Sequence, residues 1–163
     1  MPRPAPPLFI ADSLGLDFLN SVTTSHDPLL DRIGDGEGLL AWLERAHLVP
    51  LEVLRDMREK TMPGELDRIA AQARDLREWF RAFVRAHKGR PLETATVEEL
   101  TPLNRLLERD ENYGVVASKA GHEHGLQLVA KRRWKSPESL LLPIGEALAR
   151  LVTEENFTDV KAC

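Results

Sequence analysis

Tyr113-Gly-Val-Val-Ala-Ser-Lys119 and Leu126-Gln-Leu-Val-Ala-Lys131 are the stretches whose reading decides the fold. Both are short runs rich in β-branched and aliphatic residues. They flank Gly121-His-Glu-His-Gly125, whose paired glycines suit a reversal of direction. The spacing predicts a β-hairpin, within a strand region near 113–134. The rest of the chain carries helical periodicity, so the hairpin makes the protein α+β instead of all-α.

Working outward, the sequence before the hairpin reads as a succession of helices. Asp35 is a plausible N-cap for a helix carrying Leu39, Leu40 and Leu43, ending before Pro50. Leu51 to Lys60 repeats the period. Pro63 opens the longest helix, to about His87, with an apolar stripe of Leu66, Ile69, Ala73, Leu76, Phe80, Phe83 and Val84, and Gly89 stops it. Thr96-Val-Glu-Glu99 has the spacing of a capping box, and Thr101-Pro102 restarts a helix. After the hairpin, Ser136-Pro137 caps a last helix to about Val152, expected to kink at Pro143. Leu8-Phe-Ile10 reads as a short strand. Leu14 to Val22 fits both periods, with a strand turning into a helical turn preferred. The total is five or six helices packed around a small antiparallel sheet.

The chain of 163 residues suits one domain, after a Pro-rich lead-in over 1–7. Its net charge of −4 argues against nonspecific nucleic-acid binding by the whole chain. No apolar run reaches the ~18 residues of a membrane span. Met1–Pro7 lacks the apolar core of a secretory signal, and the single cysteine allows no internal disulfide. Together these point to a cytoplasmic protein without a membrane partner.

Several clusters invite chemistry. Gly34-Asp-Gly-Glu-Gly38 lacks a P-loop lysine and reads as a capping loop. His122-Glu-His124 lacks a third metal ligand nearby and reads as a turn. Lys131-Arg-Arg-Trp-Lys135 is a small basic patch, read as a solvated strand end with Trp134 inward. Arg74, Arg77, Glu78, Arg81 and Arg85 share one face of the long helix. Such a stripe is either solvated or a set of guanidinium forks for an anion, with Arg77 the best placed for a ligand. Asp17 and Asn20 sit among apolar residues and either satisfy local backbone or line a cavity. No catalytic constellation is evident, so an enzyme is disfavoured.

Leu14-Gly-Leu-Asp-Phe-Leu-Asn-Ser21, Gly38-Leu-Leu-Ala-Trp-Leu43, Asp75-Leu-Arg-Glu-Trp-Phe80, Leu103-Asn-Arg-Leu-Leu107, Leu141-Leu-Pro-Ile144 and Val160-Lys-Ala-Cys163, in that order, resemble the ABATE domain family. The resemblance runs from about Leu8 to Cys163. It implies a stress-responsive, ligand-sensing domain of a bacterial-type transcription regulator, coupled to a C-terminal treble-clef zinc finger that binds DNA. Cys163 would match that finger's first metal ligand, and one zinc ion would belong to the full-length finger. The remaining cysteines and the Cys-Gly-Asn-Arg motif are absent, so the chain reads as truncated there, with 8–158 the sensing domain and 159–163 the start of the finger. Phe157 and Val160 are expected to lead into the missing module.

The resulting expectation is a non-enzymatic receptor for an unknown small molecule. Its pocket residues would be Asp17, Asn20, Trp42, Arg77 and Trp134. No cofactor is expected within this chain. The alternatives are an enzyme acting on a small organic anion, or a protein-interaction module using an exposed apolar patch.

Overall fold

In the computed structural model, which describes residues 13–23 and 30–160, helices alternate with two short strand pairs. In order these are α1 (Leu14–Leu19), β1 (Val22–Thr23), β2 (Leu30–Asp31), α2 (Gly36–Arg45), α3 (Leu51–Lys60), α4 (Glu65–His87), a 3-10 helix (Thr94–Leu100), α5 (Thr101–Leu107), β3 (Asn112–Ser118), β4 (Leu126–Arg132), a second 3-10 helix (Pro137–Leu141) and α6 (Leu142–Glu154). Six α-helices and two antiparallel two-stranded sheets among the described residues make the α+β class expected from sequence.

The long helix α4 buries the stripe its periodicity announced: Ile69, Ala73, Phe80, Phe83 and Val84 all lie inside. Leu39, Leu40, Trp42 and Leu43 of α2 and Ile144, Leu148 and Leu151 of α6 complete the core. Each such side chain contributes about 1.5–3 kcal/mol on leaving water. Phe18 of α1 meets Trp42 edge-on, with ring centroids 5.5 Å apart. Helix α1 lies close on α6 because Gly15 lacks a side chain; a Cβ there would stand 3.0 Å from both Ala147 O and Leu151 Cβ.

The hairpin expected near 113–134 forms with Val115 opposite Val129 and Ser118 opposite Leu126. Asp35 caps α2, its Oδ1 accepting the Gly38 amide at 2.8 Å. Elsewhere the local readings change. Leu14–Leu19 is helix and the strand follows it, reversing the expected order. Its buried residues are Gly15, Asp17, Phe18 and Leu19. Thr96 forms no capping box; it is buried inside a 3-10 helix that has no side-chain cap. Pro143 does not kink α6. It occupies the first turn, where its missing N–H costs nothing, because Pro137–Leu141 is a separate 3-10 helix. The strand read at Leu8–Ile10 lies outside the described residues.

Phe157 and Val160, expected to lead into a missing module, pack on this domain's own core. The Phe157 ring lies 6.2 Å from that of Phe83, and its carbonyl accepts the Gly89 amide at 2.9 Å. The segment leaving α6 is thereby latched to the C-terminal end of α4.

Candidate functional site

The arginine stripe of α4 turns out to be a staple. Arg77 is buried, and its guanidinium donates to Asp31 Oδ1 and Oδ2 at 2.8 and 2.6 Å, to Ser21 Oγ at 2.8 Å and to Glu78 at 3.1 Å. Arg74 donates to the carbonyls of Ile33 and Gly34, both at 2.8 Å, and Arg81 to the carbonyl of Leu19 at 2.6 Å. One helix face thus fastens α1, the β1–β2 pair and the loop into α2. Burial alone would push the Asp31 carboxyl up. The Arg77 hydrogen bonds, the Ile33 amide and the charges of Arg77 and Arg74 outweigh it and hold Asp31 below the usual carboxylate range.

A second knot anchors the hairpin. Arg132 Nε and Nη2 bind the two Asp110 oxygens, both at 2.7 Å, and Nη2 also reaches Glu146 at 2.8 Å. The Arg132 hydrogen bond holds Asp110 below its ordinary value despite burial. The Arg132 guanidinium also stands 5.6 Å from the centroid of the Trp134 ring. Lys135 pairs with Glu111 at 2.6 Å, and Arg133 covers the Tyr113 ring at 4.7 Å. Arg132, Arg133 and Lys135 of the basic patch are therefore engaged with neighbours within the domain.

The sequence-selected residues fall in two places. Asp17 is buried on α1, Asn20 caps that helix, Trp42 is wholly buried on α2, and Arg77 faces β2. Trp134 lies apart from these, half-buried beside Arg132.

A groove of about 340 Å³ opens beside α6. Leu14, Leu48, Pro143, Ala147 and Leu151 give it an apolar floor. His47, Arg132, Glu146, Arg150, Glu154 and Glu155 supply a rim of both signs. None of the five selected residues lines it, although Leu14 belongs to the helix of Asp17, His47 and Leu48 follow the helix of Trp42, and Arg132 contacts Trp134. Sequence reasoning missed this groove because its walls come from separate segments. The turn after α2 ends in His47 with φ of 53°, a left-handed conformation that glycine normally fills and that the sequence did not announce. A smaller cleft of about 130 Å³ is lined by Arg109, Arg133, Lys135, Glu111, Glu138 and the two serines 136 and 139.

Cys163, the expected metal ligand, lies outside the described residues. Among the described residues no group of three or more His, Cys, Asp or Glu side chains could hold a metal ion. These residues do not fit a structural zinc site, which takes four ligands. No described helix is long and apolar enough to cross a membrane.

The family model named ABATE, described as "Putative stress-induced transcription regulator", matches residues 12–155. No curated protein and no solved structure matches the chain.

Proposed function

The chain belongs to the ABATE family, and on that premise we propose that it is the ligand-sensing domain of a stress-responsive transcription regulator, its groove beside α6 taking a small amphipathic organic molecule. In this reading a zinc finger following the domain contacts DNA, and the domain itself performs no catalysis. The observation that carries it is the position of the groove. Its floor is α6, and its far end is Glu154 and Glu155, immediately before the segment that Phe157 latches to α4. A ligand that binds one pose of α6 better than another shifts the exit segment by its differential affinity, a tenfold preference being about 1.4 kcal/mol. The apolar floor recognises an aliphatic or aromatic body, and the mixed rim recognises a polar head. Asp17, Asn20, Trp42, Arg77 and Trp134 then serve as the frame behind the groove.

The test is amide chemical-shift mapping with small aliphatic and aromatic carboxylic acids and amines as probes. Binding should move the His47, Leu48, Ala147 and Leu151 signals together with those of Phe157–Val160. Leu14→Asp, at a solvent-exposed position of the apolar floor, should abolish the response while leaving the fold intact. Groove signals unmoved by every probe, or moved equally in the Leu14→Asp variant, would overturn the reading.

A further inference from the structure

Helix α6 lays an apolar row and a charged row side by side along the groove, and from their chemistry we infer that the groove's ligand is a small protonated amine, its ammonium head at Glu155 and its apolar body over Leu151 and Ala147. The inference rests on the groove reading above and names the class of molecule the groove takes. Pro143, Ala147 and Leu151 follow one another at four-residue steps on the groove floor, and Glu155, the C-cap, is the next position in that series. At 1.5 Å per residue the row from Pro143 to Glu155 spans about 18 Å. A body lying along it meets a carboxylate where α6 stops.

The charges beside that row decide the sign of the head. Asp110, Arg132, Glu146, Arg150 and Glu154 form one alternating chain. Arg132 is shared between Asp110 and Glu146, at 2.7 and 2.8 Å, and Arg150 between Glu146 and Glu154, both at 3.0 Å. Three carboxylates against two guanidiniums leave this chain one negative charge in excess. Glu155 adds a second, and among the described residues its exposed carboxylate enters no ion pair. Both arginines already hold two carboxylates each, so a ligand carboxylate finds no unshared guanidinium on α6 and meets the excess of its own sign. An ammonium finds an unshared acceptor.

The end of the helix makes the same demand on separate grounds. The last carbonyls of an α-helix carry a partial negative charge, and a Lys, Arg or His in the final turn answers it. Helices α3 and α4 end that way, on Arg58 and Lys60 and on Arg85 and His87. Helix α6 has no basic residue in its last turn and ends on Glu154 and Glu155, the sign a helix C-terminus disfavours. A bound ammonium supplies the missing cation to the carboxylates and to the helix end together. The rim is exposed, so the preference is moderate: an amine should outbind a carboxylate of the same body by roughly five- to tenfold at low salt.

Nuclear magnetic resonance titration of the full chain with hexylammonium, hexanol and hexanoate tests this, since the three probes share one body and carry positive, neutral and negative heads. Hexylammonium should bind tightest and move the Leu151, Glu154 and Glu155 amides most. Its advantage over hexanoate should shrink between about 20 and 300 mM salt. Glu155→Gln should weaken hexylammonium by about threefold and narrow the gap to hexanoate. The unliganded melting midpoint of that variant should not fall, because the charge removed sat at an unfavourable helix end. Hexanoate bound in the groove as tightly as hexylammonium, or an ammonium affinity unchanged in Glu155→Gln, would refute the cation while leaving the groove a ligand site. Groove signals unmoved by all three probes would remove the groove reading itself, and this inference with it.

Discussion

Arg77 and Asp31 meet as a two-pronged ion pair across 46 residues of sequence, with Nη1 2.8 Å from Oδ1 and Nη2 2.6 Å from Oδ2. The arginine side chain is 3% exposed and the aspartate 20%. Removing one member of such a pair strands the other in a poorly hydrated site. Arg77→Ala is expected to destabilise the fold by about 3 kcal/mol, the low end for a buried pair because Asp31 keeps some water. At this chain length that lowers the melting midpoint by roughly 6–12 °C. Arg77→Met with Asp31→Asn discharges both partners, keeps an acceptor for the Ile33 amide and should recover part of the loss. Thermal denaturation decides it: an Arg77→Ala midpoint equal to wild type would mean the guanidinium is spare and available to a ligand.

The sequence singled out Arg77 but had no means of finding its partner. Asp31 lies in a segment with no periodicity, and only the tertiary fold brings β2 under α4. The same limit hid the groove, whose floor combines α1, the α2–α3 turn and α6. What was legible was local or periodic: the Asp35 cap, the limits of α3, the stripe of α4, and a hairpin bounded by paired glycines. Leu14–Leu19 was ambiguous because its buried face depends on Gly15, which carries no hydrophobic signal; its role is the close approach to α6. Pro143 looked like a kink because the sequence does not reveal that a 3-10 helix precedes it and leaves the proline in a first turn.

Acid should weaken the fold in a defined direction. Asp110 is held below its ordinary value chiefly by the Arg132 hydrogen bond. Asp31 is held there by Arg77 and its neighbours against the opposing effect of burial. A carboxyl depressed in the folded state contributes stability above the unfolded value of about 4, and that stability is lost as pH falls towards the folded value. In that window the unfolded chain binds more protons, so stability rises with pH. The melting midpoint should therefore be flat from about pH 7 to 6 and fall steadily from about pH 5 to 3. Asp110→Asn should lower the midpoint near neutrality and flatten the acid slope. A slope identical to wild type would show that Asp110 titrates alike in both states.

His47 holds a left-handed conformation at the end of α2. Its amide donates to Glu44 O at 3.0 Å and the Leu48 amide to Leu43 O at 3.2 Å, the paired bonds that close a helix on a left-handed residue. A non-glycine residue there costs on the order of 1 kcal/mol. His47→Gly should raise stability by about 0.5–1 kcal/mol, part of the gain being offset by the greater freedom of glycine in the unfolded chain. Chemical denaturation at constant slope measures it. A drop in stability would mean that the imidazole makes contacts worth more than the strain. Because His47 sits on the groove rim, the stabilised variant should also respond less to a groove ligand.

The glycines of Gly34-Asp-Gly-Glu-Gly38 are explained by crowding, and substitutions can separate that from turn geometry. A Cβ on Gly36 would stand 2.5 Å from Leu66 Cβ and 2.9 Å from Leu66 C, where neither neighbour can swing aside. Gly36 also donates its amide to Asp67 Oδ1 at 2.8 Å, so a displaced α2 loses a hydrogen bond as well. Gly36→Ala should therefore cost about 2–4 kcal/mol, overpacking and the lost bond acting together. Gly64 is the contrast. It has φ of 81° and no atom within 4 Å of where a Cβ would sit, so Gly64→Ala incurs only the left-handed penalty of about 1 kcal/mol. Urea titration of the two variants should rank Gly36→Ala well below Gly64→Ala. The reverse order would mean that α2 and α4 can part freely, and that the loop's glycines serve its bends instead of the contact between these helices.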